Sequence, residues 1–162
     1  MSSDPAITVP AFELSVRNIV RERVVWPNQS GAGIITAGTA LVETVIQHAK
    51  QKSRLIGVQC TFTAAVAANA SNFFTMIVRK RTVALPGTQV TLLTYPVDTP
   101  GTDDFAAWTM KELVGAAGTT LSATATDLNF GAGDVLTLEI TKTGTGLSVP
   151  IGEVTFIMDP RD

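Results

Sequence analysis

The feature that most constrains this chain is alternation. In residues 135–142, Leu136, Leu138 and Ile140 fall on one face and Thr137, Glu139 and Thr141 on the other, the period-two signature of a half-buried β-strand. Residues 153–158 repeat it with Val154, Phe156 and Met158. Residues 54–62 set Ile56, Val58, Cys60 and Phe62 on one face, and residues 73–81 do the same with Phe74, Met76 and Val78. Further strands are predicted at 41–48, 89–95, 109–113 and 127–130, with 121–123 as a short extra. Between the runs stand Leu85-Pro86-Gly87, Thr99-Pro100-Gly101 and Gly131-Ala132-Gly133-Asp134, residues that supply the fixed or positive φ a reversal needs. The expected fold is all-β: a single antiparallel β-sandwich of about eight strands, jelly-roll-like or a related Greek key, over residues 39–162.

Residues 1–38 read differently. Phe12, Val16, Ile19, Val20 and Val24 recur at helical spacing, but the run is rich in β-branched residues and Arg, so helix and extended arm are both open and the arm is favoured. Two Gly-rich stretches, 27–33 and 36–39, then read as a linker into the β-domain. An arm of this kind buries Phe12, Leu14, Val16, Ile19 and Trp26 against a neighbour and offers Arg17, Arg21 and Arg23 to acidic groups there.

Composition narrows the function. Charged residues make up 16% of the 162, well below the usual quarter or so, and 45% are hydrophobic, as expected of a surface partly covered by other protein. The net charge of −2 speaks against a nucleic-acid partner, whose affinity comes from Lys and Arg neutralising phosphates. No apolar run approaches the roughly 18 residues of a membrane span. The opening MSSDPAITVP has neither the basic nor the apolar region of a signal peptide, so the sequons at Asn28 and Asn69 are expected to stay unmodified and assembly to take place in a cytoplasm. One cysteine, Cys60, makes no internal disulfide and reads as a buried small hydrophobe.

No catalytic or cofactor constellation emerges. A nucleophilic triad needs His48, the single histidine, which sits in an alternating run without a nucleophile elbow. Asp98, Asp103, Asp104, Asp127, Asp134 and Glu139 are scattered rather than paired for glycoside hydrolysis. The loop from Asp98 to Asp104 offers oxygen atoms but lacks the ligand spacing of an EF-hand calcium loop. Gly31-Ala32-Gly33 lacks the rest of a phosphate loop. The basic cluster Arg79-Lys80-Arg81 reads as a solvated strand end or as a salt-bridge partner for a neighbouring subunit, and Trp26 and Trp108 read as core or interface anchors, the commoner fate, or as sugar-stacking platforms. The chain is therefore expected to be neither an enzyme nor a cofactor protein.

Four segments in order, GVQCTFT (57–63), AAVAANASNF (64–73), LNFGAGDVLTL (128–138) and TGTGLSVPIG (143–152), resemble a family of small β-structured virion proteins of tailed bacteriophages that decorate or cement the head shell. The resemblance covers residues 41–158, and nothing in the first forty residues matches. It implies a structural protein on the outer surface of the capsid, often a homotrimer, that bridges major capsid protein subunits by non-covalent contacts. In that setting the loop bearing Gly144, Gly146 and Leu147 is a packing surface. The alternative is a receptor- or carbohydrate-binding jelly-roll module of a phage fibre, which would need an exposed aromatic platform.

Overall fold

The protein is described here from a computed structural model that covers residues 20–26, 41–82, 88–115 and 119–161. Among the described residues nine strands follow one another: β1 Val20–Trp26, β2 Leu41–His48, β3 Ser53–Phe62, β4 Phe73–Arg81, β5 Gln89–Pro96, β6 Lys111–Glu112, β7 Asn129–Phe130, β8 Val135–Thr143 and β9 Gly152–Pro160. They form two sheets, one in the order β1-β9-β3-β6 with β7 also paired to β3, the other in the order β2-β8-β4-β5. Every pairing is antiparallel.

The pairings are nested. β4 pairs with β5, β3 with β6 and β7, β2 with β8, and β1 with β9, as in one long hairpin whose two halves stay zipped while it is rolled over a core. Rolling adds the contacts β3 with β9 and β4 with β8, which close the two sheets. This is the jelly roll, with β6 and β7 serving as two pieces of one interrupted strand along β3.

Alternation places the core where the sequence puts it. Phe74, Met76 and Val78 of β4, Leu136, Leu138 and Ile140 of β8, and Val154, Phe156 and Met158 of β9 are all buried. Cys60 is buried as expected, and burial, with a smaller contribution from nearby Glu153, holds its thiol far above the usual pKa. One face assignment changes. Ile56 is exposed, and Leu55 takes the core position instead, because pairing to β9 steps from Leu55 opposite Met158 to Gly57 opposite Ile157 and leaves Ile56 as the extra residue of a β-bulge. The bulge flips the face of everything upstream.

Other expectations shift in detail. The strand predicted at 109–113 shortens to Lys111–Glu112, and residues 121–123 are not a strand; there, Ser122 N–H donates to the Leu92 carbonyl along β5. Val20–Trp26, within the stretch read as an arm, is extended and joins the sandwich, with Val20 opposite Met158 and Trp26 opposite Gly152. The run from Val20 to Trp26 suits the open edge that β9 presents, since β-branched residues fit a pleated surface.

Candidate protein-binding loop end

The nested pairing sorts the connections by length. Among the described residues, 63–72, 97–110 and 144–151 join strands at one end of the sandwich, while 49–52 and 131–134 close the other. The start of β1 and the end of β9 also lie at the short-turn end, where Val20 meets Met158 and Pro160 meets Ser53. Long loops on a rigid β-scaffold are where binding surfaces concentrate.

Three of these loops are locked together. Val66 and Phe105 exchange backbone hydrogen bonds of 2.9 and 2.8 Å between the 63–72 and 97–110 loops. Thr63 N–H and its hydroxyl both donate to the Ile151 carbonyl, at 2.8 and 3.0 Å. Asn72 Oδ1 accepts from Thr145 N–H at 2.9 Å and from the Thr145 hydroxyl at 3.0 Å, tying 63–72 to 144–151. Beneath them an aromatic cluster fills the end of the core, with Phe62 edge-on to Phe105 at 4.8 Å and to Phe74 at 6.2 Å, and Tyr95 edge-on to Phe105 at 6.2 Å. The result is a platform fixed before any partner arrives, which lowers the ordering cost of binding.

Charge at this end is sparse and tied to the loops. Residues 63–72 and 144–151 contain no Asp, Glu, Lys or Arg, and the carboxylates of 97–110 bond to groups of their own loop and its neighbours. Asp103, buried, accepts from the Tyr95 hydroxyl and from Thr99 N–H, both at 3.0 Å. Asp104 accepts from Ala68 N–H at 2.7 Å and from Gly101 N–H at 3.1 Å. Burial and the bond to Asp103 hold the Tyr95 hydroxyl well above its ordinary pKa. Lys111 Nζ donates to the carbonyls of Thr102 and Asp104 and lies 4.8 Å from the Phe105 ring centre; burial lowers its pKa, against the opposing pull of Asp103 and Asp104. Lys142 Nζ donates to the Leu147 carbonyl over the Phe74 ring, and burial pushes its pKa down to about 8. These groups hold loops in shape, and apart from the exposed Asp104 and Pro100 the surface left outward is made of Ala, Ser, Thr, Asn and Gly with a few large apolar side chains.

Trp108 is the most conspicuous of those. It is 75% exposed and has φ 59°, a left-handed conformation that costs an L-residue roughly 1–2 kcal/mol. Its N–H donates to the Phe62 carbonyl at 2.8 Å, which pins the strained backbone. An exposed aromatic held in a strained backbone is a signature of a functional position. Met110 and Ile151 are exposed as well, and Trp108 and Ile151 wall a groove of about 350 Å³ floored by Thr61, Phe62, Thr63 and Glu153. Sequence reasoning placed Trp108 among core or interface anchors, but no local pattern marks its exposure or its φ.

The other sequence-predicted residues are distributed. Gly144 is exposed with φ +60°, and a Cβ there would press on Asn72 Oδ1 and the Ser71 carbonyl. Gly146 is buried under the Lys142 side chain, and Leu147 is half-buried against the core. Arg21, Arg23 and Trp26 stand in β1 at register positions opposite Ile157, Thr155 and Gly152. Phe12, Leu14, Val16, Arg17 and Ile19 lie outside the described residues. His48 is in β2 opposite Val135. Glu139 pairs with Arg79 across the second sheet, and Asp134 accepts from Gly131 N–H at 2.8 Å in its turn. Among the described residues no three His, Cys, Asp or Glu side chains are grouped to hold a metal ion, and no helix is long and apolar enough to cross a membrane.

No family model matches the chain, and no curated protein matches it. Among solved structures, a chain in the structure of infectious bursal disease virus Gx strain is similar over 86% of this chain and 32% of its own length, with 11% identity and a TM-score of 0.36. This chain thus spans about a third of that one, and a likeness at that level bears on neither family nor activity.

Proposed function

We propose that this chain is a structural virion protein that decorates a phage head, docking its loop end on major capsid protein subunits and bridging them by non-covalent contacts. The observation that carries the reading is the loop end itself: a preformed, nearly uncharged platform with Trp108, Met110 and Ile151 outward. Depletion of charge and enrichment in Trp and Met mark the centre of protein interfaces. Two of the four segments that resemble head-decoration proteins, 64–73 and 143–152, contribute to this platform, which supports the reading. Several weak copies engaging a symmetric lattice would multiply a modest affinity for each site. Quantitative mass spectrometry of purified particles tests it: stoichiometric presence with heads, lost on Trp108→Ala with Met110→Ala, supports decoration, and a few copies confined to tails refutes it.

A second reading rests on a specific observation. The open Trp108 ring beside the hydroxyl-bearing Thr61 and Thr63 and the Glu153 carboxylate is the kind of aromatic platform a carbohydrate module uses. Calorimetry with a panel of bacterial surface oligosaccharides separates the two, since saturable sugar binding lost in Trp108→Ala would favour the fibre module.

A further inference from the structure

The groove walled by Trp108 and Ile151 is not purely apolar. Register explains why: where β3 ends and β9 begins, Thr61 stands opposite Glu153 and Phe62 opposite Gly152. Alternate residues share a face, so Phe62 is buried among the aromatic rings while Thr61 and Glu153 lie together on the outer face of the sheet. An open indole ring thus shares one slot with a carboxylate. Its volume of about 350 Å³ is near the lower bound of small-ligand pockets, roughly 300 Å³, and suits one long side chain better than a run of sugar rings.

The charges around the slot name the guest. At this end Lys111 Nζ is bonded to the carbonyls of Thr102 and Asp104, and Lys142 Nζ to that of Leu147, so both cations are committed to their own loops. Asp104 and Glu112 are exposed, and Glu112 stands opposite Gln59, two residues from Thr61 on the same face. The other Lys and Arg side chains among the described residues are at 50, 52, 54, 79–81 and 161, toward the short-turn end. A partner that complements the loop end therefore brings positive charge. Arginine fits the slot better than lysine, because its planar guanidinium stacks on an indole and offers five donors to a carboxylate, whereas an ammonium is a point charge with no face. Glu153 accepts from the Thr155 hydroxyl at 3.0 Å, and a carboxylate has about four lone-pair sites, more than that bond fills.

We propose that the slot receives an arginine side chain of the docked capsid subunit, with its methylenes against Ile151 and its guanidinium stacked on the Trp108 ring and bonded to Glu153. The origin of the arginine rests on the docking reading; the slot itself is a property of the purified chain.

The test has two arms. N-acetyl-arginine amide is titrated against the purified chain, with the citrulline analogue, which keeps the shape and loses the charge, as control. The indole N–H resonance of Trp108, assigned by its absence in Trp108→Ala, reports on the slot. Arginine should give a saturable shift, with affinity weaker by about fivefold or more for citrulline and for arginine on Glu153→Gln. If Glu153→Gln does not fold, as judged by circular dichroism, salt replaces it: going from about 0.05 to about 0.5 M NaCl should weaken arginine and leave citrulline unchanged. No shift with arginine, an equal shift with citrulline, or a saturable shift with an oligosaccharide where arginine gives none would overturn the inference. On stripped particles, Glu153→Arg should lower occupancy about tenfold or more. A slot that binds arginine while Glu153→Arg decorates as before overturns the capsid subunit as its source. Failure of the unaltered chain to join particles refutes the docking reading and that source with it, while the titration still decides the slot.

Discussion

Replacing Trp108 separates strain from contact. With the side chain 75% exposed, about a quarter of the 150–250 Å² a buried Trp covers is at stake, worth about 1–1.5 kcal/mol at 25 cal/mol per Å². Glycine removes the left-handed penalty of roughly 1–2 kcal/mol but adds about 0.5–1 kcal/mol of backbone entropy on folding. These terms nearly cancel, so Trp108→Gly should unfold within about 1 kcal/mol of the unaltered chain. Trp108→Ala loses the same contact and keeps a positive φ, so it should be no more stable than the glycine variant. On the proposed function binding behaves otherwise: a central aromatic anchor contributes about 2 kcal/mol or more, so both variants should lose about thirtyfold in affinity for the particle surface. Urea unfolding monitored by circular dichroism gives the stabilities, and occupancy on stripped particles gives the binding. A glycine variant destabilised by more than about 2 kcal/mol, or less stable than the alanine variant by more than about 0.5 kcal/mol, would refute the strain argument.

Gly101 and Gly144 both have positive φ, yet a Cβ at Gly101 meets nothing within 4 Å while one at Gly144 strikes Asn72 and Ser71. Gly101→Ala should therefore cost about 1 kcal/mol and Gly144→Ala about 2–4 kcal/mol, read as shifts in urea midpoint. The buried Cys60 should resist a thiol reagent in the folded protein and react only at the rate of unfolding, so fast labelling under native conditions would contradict its burial. Its pKa is raised on folding, so the unfolded chain releases this proton first, and stability should fall as pH rises above the ordinary thiol value of 9.0; Cys60→Ala should remove that contribution. Lys142 has the opposite sign. Its pKa falls to about 8 from 10.5, so the unfolded chain holds the proton longer across that window, and stability should gain with rising pH there relative to Lys142→Met. Equal pH slopes for the two proteins in thermal melts would show that Lys142 is not desolvated.

The strands were legible because alternation is local: whether Leu138 or Phe156 faces a core follows from its neighbours two residues away, and Pro-Gly and Gly-Ala-Gly-Asp turns announce themselves in composition. Cys60, with no partner thiol in the sequence, was readable as core for the same reason. Ile56 was not, since an extra residue in β3 has meaning only against the register of β9, which is about a hundred positions away. The same long-range pairing decided the candidate site. Loops 63–72, 97–110 and 144–151 are far apart in sequence and meet because the nested strands return to one end, and Asp103, Asp104, Lys111 and Lys142 look like free surface charges until that meeting supplies the amides, hydroxyl and carbonyls they bond. Trp108 owes its exposure to the hydrogen bond with Phe62 and to the loop that turns there, not to any property of its neighbours. Periodicity along the chain assigns faces; which faces and loops become a surface is settled by hydrogen-bonding partners distant in sequence, whose free energies no short window contains.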